Sequence, residues 1–173
     1  MPDVTIRPAT AHDVAAITRI YRHAVLHGTA SFEIEPPDET EMASRQRTLL
    51  AGGFPYLVAE GNEVIGYSYA GPYHTRPAYR WTVEGSVYVA TPAHRRGIGR
   101  ALLTRLIEEA ERRAFRQMVA IIGDSQHVAS IELHRALGFR PVGTLATVGF
   151  KHGRWLDIVI MQRPLGPGDT TAP

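Results

Sequence analysis

The chain has 173 residues, 44% of them hydrophobic and 21% charged, the size and composition of one globular domain with a single sizeable core. Nineteen basic and 17 acidic residues leave a formal charge of +2, too small an excess for a nucleic-acid footprint. Cysteine is absent, which excludes disulfides, thiolate metal sites and a cysteine nucleophile. No apolar leader or membrane-length run is present, so a soluble cytoplasmic protein without metal, nucleic-acid or membrane partners is expected.

Val4 to Arg7 reads as a short strand closed by Pro8, and Thr10 to Asp13 has the capping-box spacing of a helix start. Val14, Ile17, Ile20, Tyr21, Ala24 and Val25 form an apolar stripe, predicting a first helix to about Leu26. Phe32 follows on an irregular segment, where an aromatic either lines a pocket or anchors packing. A second helix is predicted over Asp38 to Leu50, then a strand over Phe54 to Glu60, a turn at Gly61-Asn62 and a strand over Val64 to Ala70. Residues 71–80 form a loop rich in aromatics and bases, a setting in which ligand contacts concentrate.

Ser86 to Ala90 reads as a strand that stops before Pro92, which has no N–H for a ladder. From Ile98 the period becomes helical: Leu103, Leu106, Ile107, Ala110 and Ala114 share one face. Glu108 with Arg112 and Glu109 with Arg113 are spaced as ion pairs on the other. Between strand and helix lie Gly97 and Gly99, flanked by Arg95, Arg96 and Arg100. Glycines there permit close backbone approach, and a helix N-terminus offers unpaired N–H groups, so this is an anion cradle suited to phosphate. It is no Walker loop, lacking Lys followed by Ser or Thr, nor a dinucleotide fingerprint, since Leu102 stands where a third glycine is needed.

Met118 to Gly123 is a nearly continuous apolar run, as for a strand buried on both faces. A helix over Val128 to Leu137 ends at Gly138, and Arg140 to Phe150 and Trp155 to Arg163 read as two closing strands. The tail from Pro164 onward is expected to fray.

The glycine loop resembles motif A of the GNAT superfamily of N-acetyltransferases, Gln/Arg-x-x-Gly-x-Gly/Ala, with His94 departing from its first position. Five further stretches resemble phosphinothricin N-acetyltransferases and the related methionine sulfoximine and methionine sulfone acetyltransferases: Ala70-Gly71-Pro72, Tyr79 to Glu84, Ser86 to Val89, Leu133 to Phe139 and Gly149 to Trp155. The resemblance implies an α/β (α+β) GNAT fold, with a mixed, mostly antiparallel central sheet splayed after its fourth strand and helices on both faces. One domain is expected over residues 1–164, with a disordered tail beyond it.

Transfer of an acetyl group from a thioester to an amine needs a neutral amine, a stabilised oxyanion in the tetrahedral intermediate and a proton for the thiolate. Glu84 amid Trp81, Val83 and Val87 has the setting of a base raised by burial; by itself it also fits a solvated carboxylate. The main-chain N–H groups near Tyr88 and Val89 suit the oxyanion. By resemblance, His134 is the general acid or a proton relay, although a helix-terminal histidine can also serve the dipole. The resemblance also gives Val87, Tyr88 and Val89 to the pantetheine of acetyl-CoA, and Arg95, Arg96, Gly97, Ile98, Gly99 and Arg100 to its pyrophosphate. His127, three residues before Ser130, replaces the family's asparagine. Substrate contacts are expected from Phe32, His74, Arg76, Tyr79, Gly123, Lys151 and Ile158, with Arg76 able to hold a carboxylate by a bidentate fork. His74 replaces a lysine and tilts the expectation toward methionine sulfoximine or sulfone alongside phosphinothricin. A homodimer is implied, with Ile158 near the neighbour's pocket. The alternatives are an acetyltransferase for another amine (a protein N-terminus, a polyamine, an aminoglycoside) or an idle acetyl-CoA-binding module.

Overall fold

A computed structural model describes residues 4–173. Seven strands form one sheet in the order β1-β2-β3-β4-β5-β7-β6: β1 Thr5–Pro8, β2 Tyr56–Glu60, β3 Val64–Pro72, β4 Thr82–Val89, β5 Gln117–Gly123, β6 Arg140–Lys151 and β7 Arg154–Pro164. Four α-helices accompany them: α1 Val14–His27, α2 Glu39–Ala51, α3 Ile98–Arg112 and α4 Val128–Ala136. All pairings are antiparallel except β4 with β5, the mixed sheet that the resemblance implied.

The period of two along the strands sorts the interior into two layers. Leu57, Ala59, Ala70 and Val83 pack with Leu102, Leu103 and Leu106 of α3, while Tyr56, Val58 and Tyr67 pack with Ile17, Tyr21 and Met42 of α1 and α2. At Gly66 an added Cβ would lie 3.0 Å from Leu102 Cδ1 and 3.1 Å from the Tyr88 carbonyl oxygen, so glycine is what lets α3 seat against β3. The capping box is formed: Thr10 N–H donates to Asp13 Oδ2 at 2.7 Å, and Arg7 grips the same carboxylate at 2.8 Å. That contact depresses the Asp13 pKa to about 2.

The structure departs from expectation in four places. Helix α3 ends at Arg112, and Ala114 is exposed with φ 61°, off the apolar face; the chain turns there so that Phe115 stacks on Phe54 at 5.5 Å. Glu108 pairs with Arg105 and not with Arg112, which joins Arg105 and Arg113 around Glu109. Ile121 of β5 is 37% exposed, because β4 and β5 pair only through Thr82–Glu84 with Gln117–Val119 and then diverge. Finally, the segment after Pro164 is docked: Leu165 is fully buried, and the Arg116 guanidinium donates to the carbonyls of Gly168 and Ala172. A buried leucine and a guanidinium clamp give that segment the contacts it would lack as a frayed end.

Candidate active site

The divergence of β4 from β5 makes the site. Ala90 N–H donates to the Ile65 carbonyl on the β3 side, while Gln117 N–H reaches the Trp81 carbonyl on the β5 side. Antiparallel alternation therefore turns the main-chain groups of Glu84, Ser86 and Tyr88 toward β3, and those of Gly85, Val87 and Val89 toward β5. Beyond Val119 no strand among the described residues meets that second set. Val87 and Val89 thus present amide groups to an open gap, as expected for pairing with a pantetheine arm. Tyr88 does not: its main chain is spent on β3, and only Val89 N–H is left of the two oxyanion donors named from sequence. One gap-facing carbonyl has a partner, the Val89 oxygen, which accepts from His94 Nε2 at 2.9 Å.

The gap leads to the glycine loop. Gly97, with φ 78°, is the residue before α3, and the first intrahelical bond is Ala101 N–H to the Gly97 carbonyl at 3.0 Å. The N–H groups of Ile98, Gly99 and Arg100 therefore have no helical partner. Arg95, Arg96 and Arg100 are exposed around them, and Arg95 itself holds φ 59°. Ile98 contributes its amide only, since its side chain is 6% exposed in the core. A Cβ on Gly97 would meet nothing within 4 Å, so this glycine is required by its backbone angle. Free amides, a helix N-terminus and three guanidinium groups fit a pyrophosphate.

The gap itself is narrow, about 40 Å³, and is lined by Ser86, Val87, Tyr88, Gly123, His127 and His134 among others. Ala30 and Ile121 also line it; no motif marks them, and Ser86 stands out in the sequence only as part of the stretch Ser86 to Val89. His134 is 4% exposed, and its Nδ1 lies 2.8 Å from the Ser130 carbonyl. A carbonyl only accepts, so Nδ1 carries the proton and Nε2 of the neutral ring is bare. Burial holds the His134 pKa below its ordinary value, against the pull of the Ser130 bond. His134 is thus built to take a proton before it can give one. His127 stands just before α4 with a buried Nδ1 that has no partner among the described residues, and burial lowers its pKa too, against Asp124.

Glu84 lies on the opposite face of β4 from α3, half-buried, at the last pair before the strands part. Burial raises its pKa, and nearby His74 lowers it in part. His74 packs against Tyr73 at 4.3 Å and Tyr79 at 4.9 Å. This aromatic knot fixes the β3–β4 loop, on which Arg76 is exposed.

Phe32 packs against β5 and β6, on one side of the divergence. A Cβ on Gly123 would meet its ring at 3.0 Å and one on Gly149 at 2.2 Å, so two glycines form the notch that receives it. Lys151 is placed differently from expectation. It is 4% exposed, and Nζ donates to the Ser31 carbonyl at 2.6 Å, bracing the loop that carries Phe32. A side chain enclosed in that way does not reach out to a substrate carboxylate, which leaves Arg76 as the exposed candidate. Ile158 sits on β7 between Gly123 and Leu145.

A larger cleft, about 380 Å³, lies elsewhere on the Glu84 face, between α2 and the floor of β2 and β3. Tyr21, Tyr56, Tyr67 and Tyr69 line it. Tyr67 and Tyr69 two residues apart on one strand were the available signal, but nothing local shows that α2 stands off from them.

The model of the acetyltransferase (GNAT) domain matches residues 6–160. A phosphinothricin N-acetyltransferase of Alcaligenes faecalis is 52% identical over 170 residues, covering 98% of this chain and 86% of the relative. An L-methionine sulfoximine/L-methionine sulfone acetyltransferase of Salmonella typhimurium is 46% identical over 164 residues, covering 94% and 95%. The crystal structure of a GNAT superfamily phosphinothricin acetyltransferase from Sinorhizobium meliloti in complex with AcCoA superposes with a TM-score of 0.96 at 49% identity, covering 98% of this chain and 92% of that one.

Proposed function

Because the chain belongs to the GNAT acetyltransferase family, we propose that it acetylates the α-amino group of small amino-acid analogues such as phosphinothricin, methionine sulfoximine and methionine sulfone. Acetyl-CoA supplies the acyl group as a thioester. Val87 and Val89 hold its arm through the main-chain groups that face the gap, and the amides at Gly97 to Arg100 take its phosphates. Glu84, raised by burial, removes the proton that keeps the acceptor's nitrogen from attacking. Val89 N–H meets the negative charge that develops on the acyl oxygen. The bare Nε2 of His134 accepts a proton from the acylated nitrogen, and the imidazolium then returns it to the departing sulfur, so protons balance without a further group. Arg76 holds the α-carboxylate.

The observation that carries this reading is the incomplete ladder of β4, with amides open along the edge that faces the gap and the half-buried carboxylate of Glu84 where the strands part. A panel of amines with acetyl-CoA, scored by free thiol, tests it. The three analogues should lead polyamines, peptides and aminoglycosides, and thiol release with none of them would remove the reading. Arg76→Ala should lower kcat/KM about 30- to 1000-fold on phosphinothricin and methionine sulfoximine alike.

The same proposal takes the enzyme to be a cytoplasmic homodimer. No helix among the described residues is long and apolar enough to cross a membrane. On the terminal strand and its hairpin Val142, Leu145, Val148, Phe150 and Trp155 are 49 to 61% exposed, an apolar strip suited to a second copy. Phe150→Glu should halve the mass seen in sedimentation; an unchanged mass would place the interface elsewhere.

A further inference from the structure

Between β4 and α3 the chain makes one short loop, and a single side chain reaches back from it to the strand. Ala93 N–H donates to the Ala90 carbonyl at 2.8 Å and His94 N–H to the Thr91 carbonyl at 3.2 Å, one tight turn after the strand. Ala93, 2% exposed, and Ile98, 6% exposed, anchor the two ends of the loop in the core. The four residues between them, His94 to Gly97, are all exposed. Two of these hold left-handed angles, Arg95 at φ 59° and Gly97 at φ 78°. Glycine takes that region freely, but an arginine does so only where its surroundings hold it there. Among the described residues, the one side-chain hydrogen bond made by this stretch runs from His94 Nε2 to the Val89 carbonyl at 2.9 Å. The carbonyl only accepts, so Nε2 carries the proton.

The bond matters because the anion cradle has two unequal halves. The amides of Ile98, Gly99 and Arg100 belong to the first turn of α3, and Ile98 shares the core cluster with Ala93 and Leu102, so the fold itself fixes that half. The other half, Arg95 to Gly97, carries two of the three guanidinium groups on exposed chain with no buried side chain of its own. A loop that must be ordered during binding costs affinity, and one ordered beforehand does not. A carbonyl oxygen has two lone pairs, so Val89 can accept from His94 and still meet a ligand in the gap. The usual Gln or Arg at the first position of the motif also ends in N–H groups, so His94 changes the residue type while keeping a donor.

We propose that His94 is a positioning residue: its bond to the Val89 carbonyl holds Arg95, Arg96 and Gly97 in the shape that receives the diphosphate of acetyl-CoA before the cofactor arrives. The inference rests on the acetyl-CoA reading and adds to it a side chain that acts through the loop and not by touching the phosphates. Its direct consequence is that His94 governs the diphosphate half of the cofactor and the order of the empty loop together, and leaves the pantetheine half alone.

The test compares wild type, His94→Ala and His94→Gln by calorimetry with acetyl-CoA, with ADP as the diphosphate half and with acetyl-pantetheine as the arm, alongside amide exchange of the empty proteins and the thermal midpoint. In His94→Ala the Kd of acetyl-CoA and that of ADP should rise alike, by roughly 3- to 12-fold, the worth of one hydrogen bond. The Kd of acetyl-pantetheine should not move. With no ligand present, amide exchange over residues 95–97 should quicken, while the thermal midpoint holds because the bond is on the surface. His94→Gln, which keeps a side-chain N–H, should restore both the affinity and the slow exchange. Weakened binding of ADP with unchanged exchange in the empty loop would mean that the ring touches the diphosphate itself, and would overturn the inference. So would an equal loss on acetyl-pantetheine, a glutamine variant as weak as the alanine one, or an alanine variant that binds acetyl-CoA like wild type. Wild type that binds neither acetyl-CoA nor ADP would instead sink the acetyl-CoA reading on which the inference rests.

Discussion

The two ends of β4 are the same strand under different rules. At Thr82 to Glu84 it is paired on both sides, and Val83 and the facing Met118 are fully buried. At Gly85 to Val89 it is paired with β3 alone. The first end spends its main-chain groups on the sheet and fixes the position of Glu84; the second withholds half of its groups, which are then available to a ligand. Stability and function are thus separated along a few residues, and substitutions at each end should report one or the other.

The largest effect is expected at the junction. Glu84→Gln is nearly isosteric and should lower kcat by on the order of 10²-fold or more, removing the acidic limb of the pH profile while acetyl-CoA affinity and thermal midpoint hold. Survival of both rate and limb would make Glu84 structural and pass the base role to His134.

At the closed end, Met118→Ala removes a fully buried side chain that an added Cβ on Gly85 would meet at 3.1 Å. It should cost about 2–5 kcal/mol of unfolding free energy, with kcat per folded molecule nearly unchanged. A large loss of kcat at full stability would mean that the two ends are not separable.

The open end permits a finer comparison. Val89→Pro deletes an N–H that faces the gap, whereas Tyr88→Pro deletes one that bonds β3. Proline is tolerated in a strand where its missing N–H is not in the ladder. Val89→Pro should therefore weaken the reaction by roughly 3- to 12-fold, the worth of a hydrogen bond, with a small change in thermal midpoint, and Tyr88→Pro should be the more destabilising. The reverse order would show that the strand is registered the other way.

The smallest effect concerns His134 and pH. Its folded pKa lies below the unfolded value, so in that window the unfolded chain binds more protons and stability rises with pH. The contribution is complete above the unfolded histidine value and declines as pH falls toward the folded one. His134→Gln should flatten the slope of unfolding free energy against pH below about 6.5; an unaltered slope would mean that the ring is not held neutral by burial.

Much of this was legible in the residues. The apolar stripe of α1, the helical period from Ile98, the capping box at Thr10 and the turn residues at Gly61 and Gly138 are local patterns whose geometry follows from chain stereochemistry, and they gave the element order. Gly97 and Gly99 with their arginines marked the candidate anion cradle for the same reason, since a backbone angle and a helix end are local properties. Lys151 and the C-terminal segment were misread because burial is not local. A lysine reads as a surface residue until a loop 120 positions away presents a carbonyl to it, and a Gly- and Pro-rich tail reads as frayed until Arg116 gathers its carbonyls.

By itself, the sequence determined which residues could carry the chemistry: the glycine loop by its spacing, Arg76 by its guanidinium fork on a basic loop, and Glu84 and His134 through the family resemblance. Tertiary structure alone decided which of their groups are free. Whether Tyr88 or Val89 offers its amide depends on which strand lies on each side of β4, and whether His134 gives or takes a proton depends on the Ser130 carbonyl beside Nδ1. The open cleft beneath α2 depends on how far that helix stands from four tyrosines drawn from three elements. Directional hydrogen bonds and packing distances arise between segments far apart in the chain, so no pattern along it can contain them.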